Sequence, residues 1–402
     1  MTSGATRDTR RPAGDLPQGG PLQGLTIIEL AGIGPGPYAA MLLADMGADV
    51  IRVERPGDAA SGIDPEIDVL RRNRRSIAID LRSSDGVEVL KGLAERADAL
   101  IEGFRPGVTE RLGIGPDDLW KVNPRLVYGR MTGWGQSGPL ASTAGHDIDY
   151  IALTGALGAI GRSDDGPVPP LNFVGDFGGG SLFLVMGVLA ALHEAARTGQ
   201  GQVVDAAIVD GAASFTGILH SLMASGKWSD ERGRNFLDGG VPWYDTYETA
   251  DGRWMAVGCL EPQFYAVFVD LLGIPDDVRD RTDPRGWTRL RKAIADAFAQ
   301  RTQEEWTEVF SDTDACVAPV LSLLEAPSHP HLRARQTFVD VDGVTQPAAA
   351  PRFSNHAARV PVAPRAVGAD TVRVLQEFGF GDIDRLLAEG VIVDADDAGR
   401  SA

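Results

Sequence analysis

The sequence predicts an α/β protein, with a Rossmann-like large domain built on a parallel sheet and a smaller α+β domain inserted mid-chain. Three observations predict it. Up to residue 207, short β-branched runs alternate with helical stretches, the rhythm of βαβ units. Past that point the rhythm gives way to a long helical segment and a hairpin signature. The chain has 402 residues, enough for two or three domains with cores of their own.

Taken in order, residues 25–30 read as the first strand. The loop Gly32-Ile33-Gly34-Pro35-Gly36-Pro37 follows, then a helix to Met46 with Pro37 at its first position. Strands are expected at 49–54, 76–81, 99–104 and 125–131, with a helix over 87–97. A helix over 181–198 leads to a strand at 202–207. Then come a helical segment to Met223, a hairpin of 244–249 and 254–259 turning at Asp251-Gly252, and helices over 263–272, 287–298 and 303–310. Residues 347–364, rich in Pro and Ala, read as an extended connection, and 370–388 as an amphipathic helical stretch broken at Gly379-Phe380-Gly381. The expected division is a disordered tail over 1–20, a large domain over 21–206, a helical linker over 207–245, a small domain over 246–329, a linker over 330–349, and a C-terminal part over 350–402 returning to the large domain.

With 43% apolar and 23% charged residues the composition is that of an ordinary globular protein. A net charge of −18 argues against nucleic acid or an anionic membrane as a partner. Two distant cysteines, Cys259 and Cys316, suit a reducing cytoplasm, and six unclustered histidines point to no metal. The longest apolar run, 182–192, is shorter than the ~20 residues of a membrane span and reads as a buried helix. The first twenty residues lack the apolar core of a signal peptide, and the last three are no peroxisomal tripeptide.

The first strand, the glycine loop and Glu54 imitate a dinucleotide fingerprint, with the acid about 20 residues downstream. Two details count against it. Pro37 stands where the third glycine belongs, and Pro35 and Pro37 lack the N–H groups that cradle a pyrophosphate.

The stretch Gly145-His146-Asp147-Ile148-Asp149-Tyr150 sets an imidazole beside two carboxylates. Histidine takes and returns a proton near neutral pH, and aspartate serves as a nucleophile. Either His146 or Asp147 is therefore a candidate for the working group.

Several motifs in order resemble the family III CoA-transferases across residues 24 to 390. They are Glu29-Leu30-Ala31-Gly32, Gly47-Ala48-Asp49-Val50 through Arg55-Pro56-Gly57, Asn73-Arg74-Arg75-Ser76, Phe104-Arg105-Pro106-Gly107, Gly133-Trp134-Gly135-Gln136-Ser137-Gly138-Pro139 and Gly199-Gln200-Gly201-Gln202. Within that family, four stretches resemble the branch of α-methylacyl-CoA racemases. These are Ala144–Tyr150, Leu171-Asn172 with Gly175-Asp176-Phe177-Gly178-Gly179-Gly180, Asp238–Pro242 and Glu261–Tyr265.

The resemblance implies a family III CoA-transferase fold, an interlocked homodimer, an acyl-CoA substrate with no separate cofactor, and 1,1-proton transfer α to a thioester. Inversion by deprotonation needs a base on one face of the carbon and an acid on the other, each contributing about 10²–10⁴-fold, and a group to stabilise the enolate. Carried over by motif, His146 and Asp176 are that pair, and Glu261 is the partner that stabilises the imidazolium. Asp176 must hold its proton part of the time, and the apolar Phe173, Val174 and Phe177 around it would raise its pKa. Standing before three glycines, it is also placed to cap the helix that follows. The family pattern sets Arg55, Ile79, Asp80, Leu81, Arg82 and Gly145, Ile148, Asp149, Tyr150 against CoA. Arg52, Arg55, Arg71, Arg72, Arg74, Arg75, Arg82 and Arg105 form a basic concentration suited to its phosphates, with Arg55 and Arg105 foremost. The rival within the family is a CoA-transferase, in which the aspartate at the position of Asp147 is the nucleophile. His146 disfavours it, because the transferases generally lack that histidine. A CoA-binding scaffold without activity is the non-enzymatic alternative.

Overall fold

The computed structural model describes residues 19–57, 62–357 and 360–395. Residues 1–18 of the expected tail lie outside the described residues, as do the last seven of the chain. Gly20 does not belong to a tail: a Cβ there would meet the Met46 carbonyl oxygen at 2.3 Å.

The chain divides into two units. The larger comprises residues up to 153, 171–214 and 335 onward; the smaller comprises 154–170 and 215–334. The expected linker over 207–245 is thus split at 214, and the one over 330–349 at 334. Residues 154–170, expected in the large domain, belong to the smaller unit. The Arg232 guanidinium explains this, since it donates to the carbonyls of Gly158, Arg162 and Asp165.

The larger unit is built on a seven-stranded sheet. Its parallel strands are β1 (Thr26–Leu30), β2 (Asp49–Glu54), β3 (Arg74–Ile79), β4 (Ala99–Glu102), β5 (Val127–Thr132) and β6 (Val203–Ala207), in the order 3-2-1-4-5-6. A short strand, Ile392–Val393, adds antiparallel beside β3, so the sheet is mixed at one edge. Both faces are buried, which favours apolar strands, yet β1 to β3 also bury Glu29, Arg52, Glu54, Arg74 and Arg75. Ile28, Leu30, Ile51, Val53, Ile77 and Ile79 face Val89, Leu90 and Leu93 of helix α2 (Ser84–Ala94). Ile27, Val50, Ala99 and Ile101 face α1 (Pro35–Asp45) and the helix Leu182–Thr198. Each buried Leu or Ile contributes about 1.5–3 kcal/mol.

Two helices start earlier than expected. Pro35, not Pro37, opens α1 behind Gly34 at φ 66. The α2 helix begins at Ser84 because Ser83 accepts the Gly86 N–H at 2.9 Å. The linker over 330–349 contains an unexpected hairpin, Phe338–Val341 with Val344–Pro347, turning at Asp342-Gly343 with both residues at positive φ.

The apolar run over 182–192 is part of a longer helix. A π-helical segment, Phe173–Ser181, runs straight into Leu182–Thr198. The combined Phe173–Thr198 is long and apolar enough to cross a membrane by length and composition, contrary to the expectation. One side of it, Leu184, Val185, Val188, Ala191 and Ala195, is sealed in the core of the unit.

The smaller unit carries a three-stranded antiparallel sheet, Tyr244–Glu248, Trp254–Gly258 and Val317–Pro319. It packs on helices Pro262–Leu272, Trp287–Phe298 and Gln303–Phe310 through Phe268, Phe298, Trp306 and Phe310.

Candidate active site

The site in the larger unit is assembled at the carboxyl ends of its strands. The helix Asp147–Leu153 opens at Asp147, and Asp149 accepts the His146 N–H at 2.9 Å, fastening that first turn. His146 is exposed, whereas Asp147 is 7% exposed. Asp147 Oδ1 accepts the backbone N–H of Asp176 at 2.5 Å, and the Gly175 N–H adds to it. No side chain fits at Gly175, where a Cβ would meet Asp147 Oδ1 at 2.3 Å. Oδ2 of Asp147 is buried and has no partner among the described residues. Burial pushes the Asp147 carboxyl up, against the pull of the two N–H groups.

Asp176 lies inside the π-helical segment and is not the cap of the helix from Ser181. Ser181 is itself helical, with φ −60 and ψ −45. Wide π turns interrupt the regular ladder and free a side chain from the 3.6-residue register. Gly179 and Gly211 allow the segment to approach the helix Ile208–Phe215 closely, a Cβ on Gly211 meeting the Gly179 carbonyl oxygen at 1.9 Å. Burial, then the charge of Asp147, pushes Asp176 up to about 6, while a bond from the Asn172 side chain and the nearby His146 pull it down. The stacked rings of Tyr38 and Phe177, 4.3 Å apart, supply apolar surface beside it. The glycine loop after β1 lies against the same carboxylate, since a Cβ on Gly34 would reach Asp176 Oδ2 at 3.2 Å.

Tyr150 is buried, donates its hydroxyl to the Gly145 carbonyl, and meets Trp134 edge-on at 4.8 Å. Gly133 and Gly145 leave room for that ring: a Cβ on either would strike it, at 2.0 and 2.7 Å. Ile148 is 43% exposed.

A cavity of about 260 Å³ opens where the strand order reverses, at the ends of β1 to β4, where ligands bind in open α/β sheets. Arg55, Ile79, Asp80, Leu81 and Arg82 line it, with Phe104. Arg82 is paired with Asp80 at 2.9 Å. Arg55 and Arg105 are exposed, the charge of Arg55 reaching Asp80 and that of Arg105 reaching Tyr150.

Residues 22–371 match the model of CoA-transferase family III. The chain belongs to CoA-transferase family III. It is 46% identical to α-methylacyl-CoA racemase of Mus musculus, over 93% of this chain and 98% of that protein. It is 44% identical to the Homo sapiens protein of the same name, over 89% of this chain and 94% of that one. The crystal structure of a CAIB/BAIF family protein from Brucella suis superposes with a TM-score of 0.78 at 27% identity, covering 90% of this chain and all of that one.

In this family III chain the basic concentration is mostly not a phosphate site. Arg52, Arg71, Arg72, Arg74 and Arg75 are buried and held by Glu29, Glu54, Asp45 and Asp49. Guanidinium groups this deep are committed to internal carboxylates, because a buried unpaired charge is costly. Glu54, the imitation ribose-binding acid, is 3% exposed and spent on Arg52, Arg71 and Ser76. Glu261 lies in the smaller unit at the cap position of Pro262–Leu272. It is exposed and its side chain makes no bond to that helix. Among the described residues no three His, Cys, Asp or Glu side chains group to hold a metal.

Proposed function

We propose that this chain is an α-methylacyl-CoA racemase, interconverting (2R)- and (2S)-2-methylacyl-CoA thioesters by 1,1-proton transfer through an enolate. The observation that carries the reading is that the Asp147–Asp176 bond joins the segment next to His146 to the one bearing Asp176, close enough for the imidazole charge to act on a carboxyl that burial raises to about 6. A carboxyl with that value is populated in both protonation states near neutral pH, as a group that must be base for one hand and acid for the other requires. The 44–46% identity to the two racemases supports the same reaction.

In the mechanism His146 and Asp176 address the α-carbon from opposite faces. One removes the proton and the other returns it, and the roles exchange with the substrate's hand. Glu261 stabilises the imidazolium form of His146. Arg55 and Arg105, with the segment from Ile79 to Arg82, meet the CoA moiety, and Gly145, Ile148, Asp149 and Tyr150 hold the wall that carries His146. Asp147 is a positioning residue on this reading. A transferase would need Asp147 to attack a thioester, yet one of its oxygens is engaged by main-chain N–H groups and the residue is buried. No cofactor beyond the CoA of the substrate takes part.

We also infer a homodimer working in the cytoplasm. Phe173, Leu182 and Met186 are each more than half exposed, and helix Gly217–Ala224 has no buried residue despite its apolar sequence. A second copy would cover such surface, and sedimentation should give twice the chain mass.

The test is to supply one 2-methylacyl-CoA epimer alone. Approach to an equal mixture of epimers supports the reading. Transfer of CoA to an added carboxylic acid without epimerisation overturns it.

A further inference from the structure

Glu102, the last residue of β4, is 3% exposed and stands opposite Arg130 of β5. Its Oε2 accepts the backbone N–H of Phe104 at 2.6 Å. Phe104 lines the cavity at the strand ends, and the exposed Arg105 follows it directly. One carboxylate therefore fixes the turn by which the chain leaves β4 and enters the cavity wall. The charged and titratable groups facing it are Arg130 and Tyr128 from β5 and Glu110 from the short helix Val108–Arg111. From β1, Glu29 stands opposite Ile101 and is committed to Arg52 and Arg74. Arg130 compensates Glu102 only in part: its Nε is 3.6 Å from Glu102 Oε1, while its other nitrogens serve Glu110 and Gln136.

We propose that Glu102 is a positioning residue for the CoA moiety, its carboxylate holding the Phe104-Arg105 turn in binding geometry through the Phe104 N–H, so that affinity follows the charge on Glu102. The proposal rests on the acyl-CoA reading of the cavity. Burial raises Glu102 to about 7, against the Phe104 N–H and Arg130, with Glu110 adding to the rise. An ionised acceptor binds an N–H more strongly than a neutral one. The turn is therefore held tightly above about pH 7 and loosened below it.

The experiment measures the Kd of unacylated CoA by calorimetry at pH 6 and pH 8, for the wild-type protein and Glu102→Gln. If only the ionised form binds, one proton near 7 weakens wild-type binding by up to about tenfold at pH 6 relative to pH 8. The phosphate of CoA also titrates near 6, but does so equally with both proteins. Glu102→Gln is expected to keep only that shared part. If it retains the wild-type dependence, or if the wild-type dependence is no larger than that shared part, the positioning role is overturned and the acyl-CoA reading stands. If the wild-type protein does not bind CoA at either pH, both fall. A second measurement needs no variant to fold: with ¹⁵N-labelled phenylalanine, the Phe104 amide resonance should titrate with a midpoint near 7, and an amide that does not move between pH 6 and 8 contradicts the proposal.

Discussion

Asp147 Oδ1 accepts the backbone N–H of Asp176 at 2.5 Å. The two acids are thus joined through main chain, not side chain to side chain. The bond ties the first turn of the helix that His146 precedes to the π-helical segment carrying Asp176, so one contact registers the two proposed proton carriers against each other. The charge of Asp147 is also the second cause, after burial, of the raised Asp176 value.

Replacing Asp147 with Asn keeps an acceptor for the Asp176 N–H and removes the charge. The value of Asp176 should fall, and the limb of the racemisation pH profile assigned to it should move to lower pH. Asp147→Ala also leaves the N–H without its acceptor, a loss of about 1–3 kcal/mol of stability. Epimerisation should still be measurable in both variants, and its abolition in Asp147→Asn would favour the nucleophilic role.

Stability should follow the raised value of Asp176 with a definite sign. A carboxyl raised to about 6 in the folded protein and near 3.9 when unfolded contributes stability that is fully present below the unfolded value and lost as pH rises through about 6. Asp176→Asn should therefore raise Tm at pH 7.5, on the order of 1 °C for each kcal/mol at this chain length, with little change at pH 3.5. Thermal scans at the two pH values check it.

Gly175→Ala places a methyl group 2.3 Å from Asp147 Oδ1. The carboxylate must move, so activity should fall at least tenfold even where far-UV circular dichroism is unchanged. Overpacking of this kind costs about 1–3 kcal/mol, readable as a lower denaturation midpoint.

The arginines should separate into two groups. Arg55→Ala and Arg105→Ala should raise KM about 10- to 100-fold with kcat little changed, from the loss of one charge-assisted bond of about 1.5–3 kcal/mol each. Arg52→Ala should instead act on the fold, costing about 1.5–3 kcal/mol of stability for a lost charge-assisted bond, because it leaves the buried Glu29 to Arg74 and the buried Glu54 to Arg71.

That separation shows where the sequence was legible and where it was not. The strands of the larger unit could be read because burial on both faces leaves them continuous and β-branched, as in Thr26–Leu30 and Asp49–Glu54. His146 and Asp176 are singled out by motif, and the fold sets both in the larger unit. The basic cluster was misread because counting charges along a chain cannot see that Arg74 meets Glu29, 45 residues away. The π-helical turn carries no periodic signal, since its glycines look like a helix stop. The hairpin at Asp342-Gly343 did carry one, an Asp-Gly pair between β-branched runs, hidden by the Pro- and Ala-rich stretch that follows. Glu102 has no motif at all. What marks it is the Phe104 N–H, which only the fold brings to it.

The most direct test is incubation of one 2-methylacyl-CoA epimer with the protein in deuterated water, following deuterium at the α-carbon with no second acid present. The account predicts deuterium entering as the opposite epimer forms, with His146→Ala and Asp176→Asn each losing at least 100-fold of that exchange. An absence of α-deuterium in the wild-type protein, or full exchange surviving the loss of both side chains, would contradict it.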